Sequence, residues 1–87
     1  MDRVPVGDDP GTPAEALEAS ERREAVRRAL DALPERDRVM ILMRQEGFSY
    51  LEIAEAVGTT SQSVGTLLAR ALKRFSSEIA PILEALR

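Results

Sequence analysis

Apolar residues recur with the spacing of α-helices along most of the chain, and no segment shows the two-residue alternation of a strand. The most regular series follows an i, i+3, i+4, i+7, i+8, i+11 spacing and consists of Val64, Leu67, Leu68, Ala71, Leu72 and Phe75. An earlier stripe consists of Leu17, Ala25, Val26, Ala29, Leu30 and Leu33. The pattern predicts an all-α domain of four helices.

Local signals bound the first two helices. Thr12 and Pro13, with Glu15 three residues after the threonine, predict a capped start and a helix over residues 13–32. Pro34 breaks that helix and opens a second one over residues 35–46. Because residues 39–43 are all apolar, we expect the second helix to be the central helix of the core.

The other two helices are bounded in the same way. Ser49 and Glu52 form a capping-box pattern and Gly58 suits a helix end, which predicts a third helix over residues 50–57. The hydroxyls of residues 59–61 can cap a fourth helix. We expect that helix to reach about Ala80, where Pro81 interrupts it, and residues 82–87 to form a last turn or a kinked extension.

Composition excludes several classes of protein. The chain has 87 residues, 44% hydrophobic and 31% charged, which allows one small globular domain. It contains no cysteine and no histidine, so we expect no disulfide, no metal site, no cofactor and no Cys or His nucleophile. We interpret residues 1–12 as a linker or disordered tail and residues 13–87 as the domain. Without a membrane span or signal-peptide pattern, the expected location is cytoplasmic, with no membrane partner.

The third and fourth predicted helices meet the steric demands of a helix-turn-helix. Ala54 supplies the small residue needed where the helices cross, and Gly58 supplies the residue that tolerates a positive φ in the turn. Ile53, Val57, Val64 and Leu67 stand at the positions that face the core. A chance pair of helices would meet one or two of these conditions, so the pattern favours a helix-turn-helix DNA-binding domain.

The fourth helix also carries the candidate contacts to DNA. The net charge is -3, yet residues 61–87 hold four basic and two acidic groups. At about 100° per residue, the side away from the apolar series presents Gln62, Thr66, Ala69, Arg70 and Lys73. We predict base contacts by Gln62 and Thr66 and phosphate contacts by Arg70, Lys73 and Arg74. Thr60, Ser61 and Ser63, at the start of the helix, complete the predicted DNA-binding set.

Three segments together resemble region 4 of a bacterial extracytoplasmic-function sigma factor. They are LDALPERDRVMIL from Leu30, EGFSYLEIAEAVG from Glu46 and SVGTLLARALKRF from Ser63, and the resemblance covers about residues 13–76. It implies a four-helix domain whose helix-turn-helix binds the -35 promoter element in the major groove. It also implies contact with the β flap of RNA polymerase core, and masking by an anti-sigma factor.

The resemblance places limits as well. Residues 1–12 would belong to the linker from a -10-binding domain, so the chain would be an excised region or a partial sigma factor. Gly65, Leu67 and Ala69 stand where the family usually has cations. With three or so phosphate-binding cations, we expect weak, salt-sensitive binding of isolated DNA, and tethering to polymerase would supply the missing effective concentration.

Three alternatives remain open. An enzyme could use Glu52 and Glu55 as an acid-base pair, but Glu52 fits a cap and no partner group accompanies the two carboxylates. A sigma-like interaction module could dock on RNA polymerase or an anti-sigma factor without reading DNA. A different helix-turn-helix regulator, with a ligand or response domain elsewhere, would suit the same motif. We expect a non-enzymatic promoter-binding domain.

Overall fold

The computed structural model describes residues 11–87 and consists of four α-helices. They are α1 (Pro13–Asp31), α2 (Glu35–Gln45), α3 (Tyr50–Val57) and α4 (Ser61–Ala85). The all-α fold with a helix-turn-helix is confirmed, and the bounds of the first three helices agree with the predicted ones to within one residue. The predicted linker over residues 1–12 lies almost wholly outside the described residues and stays a prediction.

The helix that the other three share is α4. It packs against α1, α2 and α3, whereas α2 packs against α3 and α4. The prediction that α2 is the central helix is therefore wrong. Although α2 carries the densest apolar run, Leu42 on that helix is 44% exposed, because α2 faces its neighbours on one side only. The longer α4, with 25 residues, contacts all three of the other helices.

The core lies where α2, α3 and α4 meet. Its buried members are Met40, Ile53, Ala54, Val64 and Leu68, and Ile41, Met43, Val57 and Leu67 pack around them. Methionine fills irregular gaps easily, and the fully buried Met40 does so here. Burying one Met, Ile, Val or Leu side chain stabilises the folded state by roughly 1.5–3 kcal/mol, so this cluster holds α2, α3 and α4 together.

The helix α1 packs on α4 through small residues. Ala25 and Ala29 are buried, together with Leu33 just after the helix, but Leu17 is 61% and Val26 is 39% exposed. The predicted stripe is therefore only partly correct. Small side chains suit a close approach of α1 to α4, and among the described helices α1 makes its main contacts with α4.

Pro81 lies inside α4 and does not end it. The predicted stop near Ala80 is wrong, because residues 82–85 continue the same helix. Proline lacks the N–H that would bond to the carbonyl of Ser77, four residues earlier. Both residues are exposed, so water can satisfy that carbonyl and the helix continues to Ala85.

Candidate nucleic-acid interface

The start of the helix-turn-helix is held by the predicted capping box. The backbone N–H of Ser49 donates to Glu52 Oε1 at 2.8 Å, and the backbone N–H of Glu52 donates to Ser49 Oγ at 3.1 Å. The hydrogen bond from the Ser49 backbone, followed by that of the Ser49 side chain, lowers the pKa of Glu52. Its carboxylate therefore serves the cap.

The loop before α3 is held by Arg44. Its Nη1 donates to the backbone carbonyl of Phe48 at 3.1 Å, and its guanidinium lies 5.1 Å from the centre of the Tyr50 ring. The first contact satisfies a carbonyl after the end of α2, and the second is a cation–π contact. One side chain thus joins the end of α2 to the start of α3.

The turn between α3 and α4 depends on a glycine. Gly58 has φ 78° and ψ 38°, which is the left-handed conformation that side chains with a Cβ adopt at a cost. The N–H groups of Gly58 and Thr59 both donate to the carbonyl of Ala54, each at 2.9 Å. Ala54 is 2% exposed at the helix crossing, so the small residue and the glycine fulfil the predicted roles.

Hydroxyls cap the start of α4. Thr60 Oγ1 accepts from the backbone N–H of Ser63 at 3.2 Å, and the Thr60 hydroxyl donates to Ser63 Oγ at 3.0 Å. These two predicted DNA contacts therefore also have a local structural role. Ser61, between them, is exposed.

The outward face of α4 carries the remaining predicted contacts. Gln62, Thr66, Arg70 and Lys73 are all exposed, as the helical spacing predicted. A surface groove beside the helix-turn-helix is lined by Thr59, Gln62, Ser63, Thr66, Leu67 and Arg70. The structure thus brings both base-reading candidates and one cation to a single surface. Their contacts to bases and phosphates stay predictions.

Arg74 differs from the other two cations. Its Nη1 lies 2.6 Å from Oδ2 of Asp37 at the start of α2, and its side chain is 52% exposed whereas that of Asp37 is 3% exposed. Arg70, Lys73 and Arg74 also line a cleft of about 420 Å³ that is closed on its other side by residues 32–34. The guanidinium of Arg74 thus contacts another helix as well as solvent.

Sequence reasoning missed Asp37 and the two groove residues Thr59 and Leu67. Asp37 sits in a charged run that reads as solvated, yet it precedes the core residue Met40 by three positions. That spacing puts both on one helix face and was the available signal. Leu67 was predicted to be a core residue, and it packs on the core while also lining the groove.

Within residues 11–87, no group of three or more acidic side chains is arranged to hold a metal ion. None of the described helices combines the length and the apolar character needed to cross a membrane.

Comparison with known proteins points to one family. Residues 23–75 match the model of the family described as Sigma-70, region 4. Two curated relatives, each named RNA polymerase sigma factor SigF, come from the CDC 1551 and H37Rv strains of Mycobacterium tuberculosis. Each is 38% identical over 64 residues, which is 72% of this chain but 24% of the relative. No solved structure matches the chain.

Proposed function

Because the chain belongs to the sigma-70 region 4 family, we propose that it reads the -35 element of promoters as one domain of an alternative sigma factor. The observation that carries the proposal is the surface on α4, where Gln62, Thr66 and Arg70 line one groove directly after a helix-turn-helix turn. A recognition helix contacts base edges with such residues in its first turns. The narrower resemblance to extracytoplasmic-function sigma factors is part of this proposal.

The division of labour follows from side-chain chemistry. Gln62 can bond to N6 and N7 of adenine, and the Thr66 hydroxyl and methyl can bond to a base and contact thymine. Arg70 and Lys73, one to two turns further along α4, would neutralise phosphates. The phosphate backbone of DNA would be contacted at the start of α4 by Thr60, Ser61 and Ser63. The N–H groups and the helix dipole favour an anion there.

Partners other than DNA form the second half of the proposal. We propose that α1 and α2 contact the β flap of RNA polymerase core and that an anti-sigma factor masks the domain. Leu42 and Phe48, 44% and 41% exposed around the end of α2, support an apolar docking surface there. Met40 is fully buried, so it belongs to the core and not to that surface.

No catalysis is part of this function, since a promoter reader acts through affinity, and Glu52 is engaged in a cap. The proposed location is the cytoplasm, where bacterial promoters are. The chain spans about a quarter of the length of its SigF relatives, so the remaining steps of initiation would depend on other regions.

Selection of bound duplexes from a random pool tests the proposal, followed by fluorescence anisotropy of the best duplex and a scrambled one across salt concentrations. We expect a shared motif. Gln62→Ala should change the preferred sequence, whereas Lys73→Ala should weaken all duplexes alike and lower the salt slope by about 0.9.

Arg27→Ala is the matched control, since it removes the same charge from the exposed side of α1. It should leave both affinity and salt slope unchanged. No enriched motif, together with tight binding to a β-flap fragment, would instead support the docking module that does not read DNA.

A further inference from the structure

The Arg74–Asp37 contact is unlike the other ion pairs between residues 11–87. Those others join residues three or four positions apart, within α1 or at the end of α4, and all their side chains are more than half exposed. Arg74 and Asp37 are 37 positions apart and join α4 to α2, with an N–O distance of 2.6 Å. This pair therefore constrains how two helices sit against each other.

Asp37 needs a positive partner where it lies. With 2% of its surface exposed, its carboxylate has lost most of its water, and an unpaired charge in such a place is strongly unfavourable. It stands in the first turn of α2, whose N-cap residue Pro34 offers no side-chain hydrogen bond. The helix dipole favours the carboxylate there, and the Arg74 guanidinium supplies a full opposite charge.

Helical geometry places Arg74 nearer to the packed face of α4 than Arg70 or Lys73. At about 100° per residue, Lys73 points about 20° from Gln62, whereas Arg74 points about 120° from it. Arg74 is only about 60° from Ala71, which is fully buried at the centre of the packed face. The side chain therefore rises from the flank of α4 toward α2 and not from the face that carries the base-reading candidates.

From these three observations, we propose that Arg74 is a positioning residue, which holds the recognition helix α4 against the start of α2 by pairing with buried Asp37. Phosphate neutralisation is then left to Arg70 and Lys73. The proposal deepens the proposed function and rests on it. It states that one ion pair sets the orientation of the reading helix α4 relative to α2, which is one of the two helices proposed to contact the β flap.

The two roles for Arg74 give different salt dependences. Each neutralised phosphate contributes about 0.9 to the slope of log affinity against log salt. Two contacts predict a slope of about 1.8 for α4, and three predict about 2.7. A positioning role also predicts that breaking the pair weakens DNA binding without changing this slope, because the helix is less well preorganised.

A double-mutant cycle on thermal unfolding is the first test. Arg74→Gln leaves the Asp37 carboxylate buried and unpaired, and should lower Tm by more than about 10 °C. Asp37→Asn should lower Tm less, since the half-exposed Arg74 can turn to water. The double variant, Asp37→Asn with Arg74→Gln, should recover at least half of the loss of the arginine variant. Independent, additive effects would overturn the pairing.

Duplex binding by the folded double variant is the second test, measured below its Tm with Lys73→Gln as the matched control. We expect the double variant to bind at least about threefold more weakly with the wild-type salt slope, and the control to lose about 0.9 of that slope. A loss of about 0.9 by the double variant would instead make Arg74 a phosphate contact. Unchanged affinity would reduce the pair to a purely structural role.

Failure of the proposed function would look different. If the unmodified domain prefers no duplex and shows no salt-dependent binding, promoter reading and the orientation of a reading helix are both overturned. The unfolding cycle would still decide whether Arg74 pairs with Asp37.

Arg74→Lys adds a rescue experiment. Because a single nitrogen makes the contact, a lysine should restore most of the Tm that Arg74→Gln loses.

Discussion

Two ends of this molecule are built differently. The recognition end, residues 49–68, contains four buried residues, Ile53, Ala54, Val64 and Leu68, and a side-chain cap at the start of each of its two helices. The hairpin end, residues 13–24 of α1 with residues 76–87, contains no buried residue at all among those positions. Leu83 of α4 and Leu86, just after that helix, lie there beside Glu18, Glu21 and Arg22 of α1.

Of these two ends, the recognition end is the one that contains buried apolar side chains. A recognition helix must keep its orientation before it meets a duplex, since ordering it on contact would reduce affinity. Segments with few buried apolar contacts open locally at little free energy. We therefore expect the recognition end to open only in global unfolding and the hairpin end to fray.

Truncating an apolar side chain at each end should give the largest contrast. Ile53→Ala removes a fully buried side chain from the recognition end and should cost about 2–5 kcal/mol of unfolding free energy. Leu17→Ala, at a side chain 61% exposed in the hairpin end, should cost less than about 1 kcal/mol. Urea denaturation of both variants measures the difference. Equal losses would show that the hairpin end is as well packed as the recognition end.

Two glycines of the recognition end should respond in opposite directions. Gly58→Ala forces a Cβ into a left-handed turn and should cost about 1–2 kcal/mol. Gly65→Ala lies inside α4, where a Cβ would meet Tyr50 at an ordinary 3.7 Å, and should gain about 0.5–1 kcal/mol. Thermal unfolding measures both. A stable Gly58 variant would mean that the turn does not depend on its geometry.

The capping box should make the recognition end sensitive to acid. Its hydrogen bonds lower the pKa of Glu52 below the ordinary value of 4.5, so the stabilisation is complete above that value and is lost as pH falls through the lower pKa of the folded state. Glu52→Gln removes the carboxylate that titrates, so Tm should fall less between about pH 5 and pH 3 than it does in the unsubstituted protein. Ser49→Ala removes only the hydroxyl and should cost about 1 kcal/mol at neutral pH, but it should reduce the pH dependence only in part, because the backbone N–H of residue 49 still donates to Glu52.

An ion pair at the hairpin end should matter least. Arg87 Nε lies 3.9 Å from Glu84 Oε1, and the side chains of Glu84 and Arg87 are 71% and 80% exposed. Ion pairs as exposed as this one contribute little to stability. Glu84→Gln should shift the unfolding free energy by less than about 0.5 kcal/mol, and added salt should leave even that difference small. A large loss of unfolding free energy would mean that another molecule covers the hairpin end in solution.

Local rules account for the parts of the fold that could be predicted. A cap, a helix stop or a left-handed turn depends on residues three or four positions apart, so Ser49, Gly58 and Thr60 could be assigned before any packing was known. The exposed position of Gln62 and Thr66 follows from helical spacing in the same way. The assignment of base and phosphate contacts goes further than this and stays a prediction.

Two of the three incorrect predictions concern how helices meet, and the third concerns where α4 ends. The apolar run of α2 suggested a central helix, and the stripe of α1 suggested that Leu17 and Val26 are covered, because periodicity reports which face is apolar but not what lies against it. Pro81 suggested a helix end, yet the cost of one lost hydrogen bond at an exposed position does not stop α4.

The order of the helices, their caps and the glycine turn could be determined from the sequence alone. Each depends on hydrogen bonds within one turn and on the side-chain preferences of single residues, so residues close together in the sequence are enough to predict it. The choice of α4 as the shared helix and the pairing of Arg74 with Asp37 required the folded chain. Those two residues are 37 positions apart, and packing against α4 removes water from the carboxylate and brings the guanidinium to it.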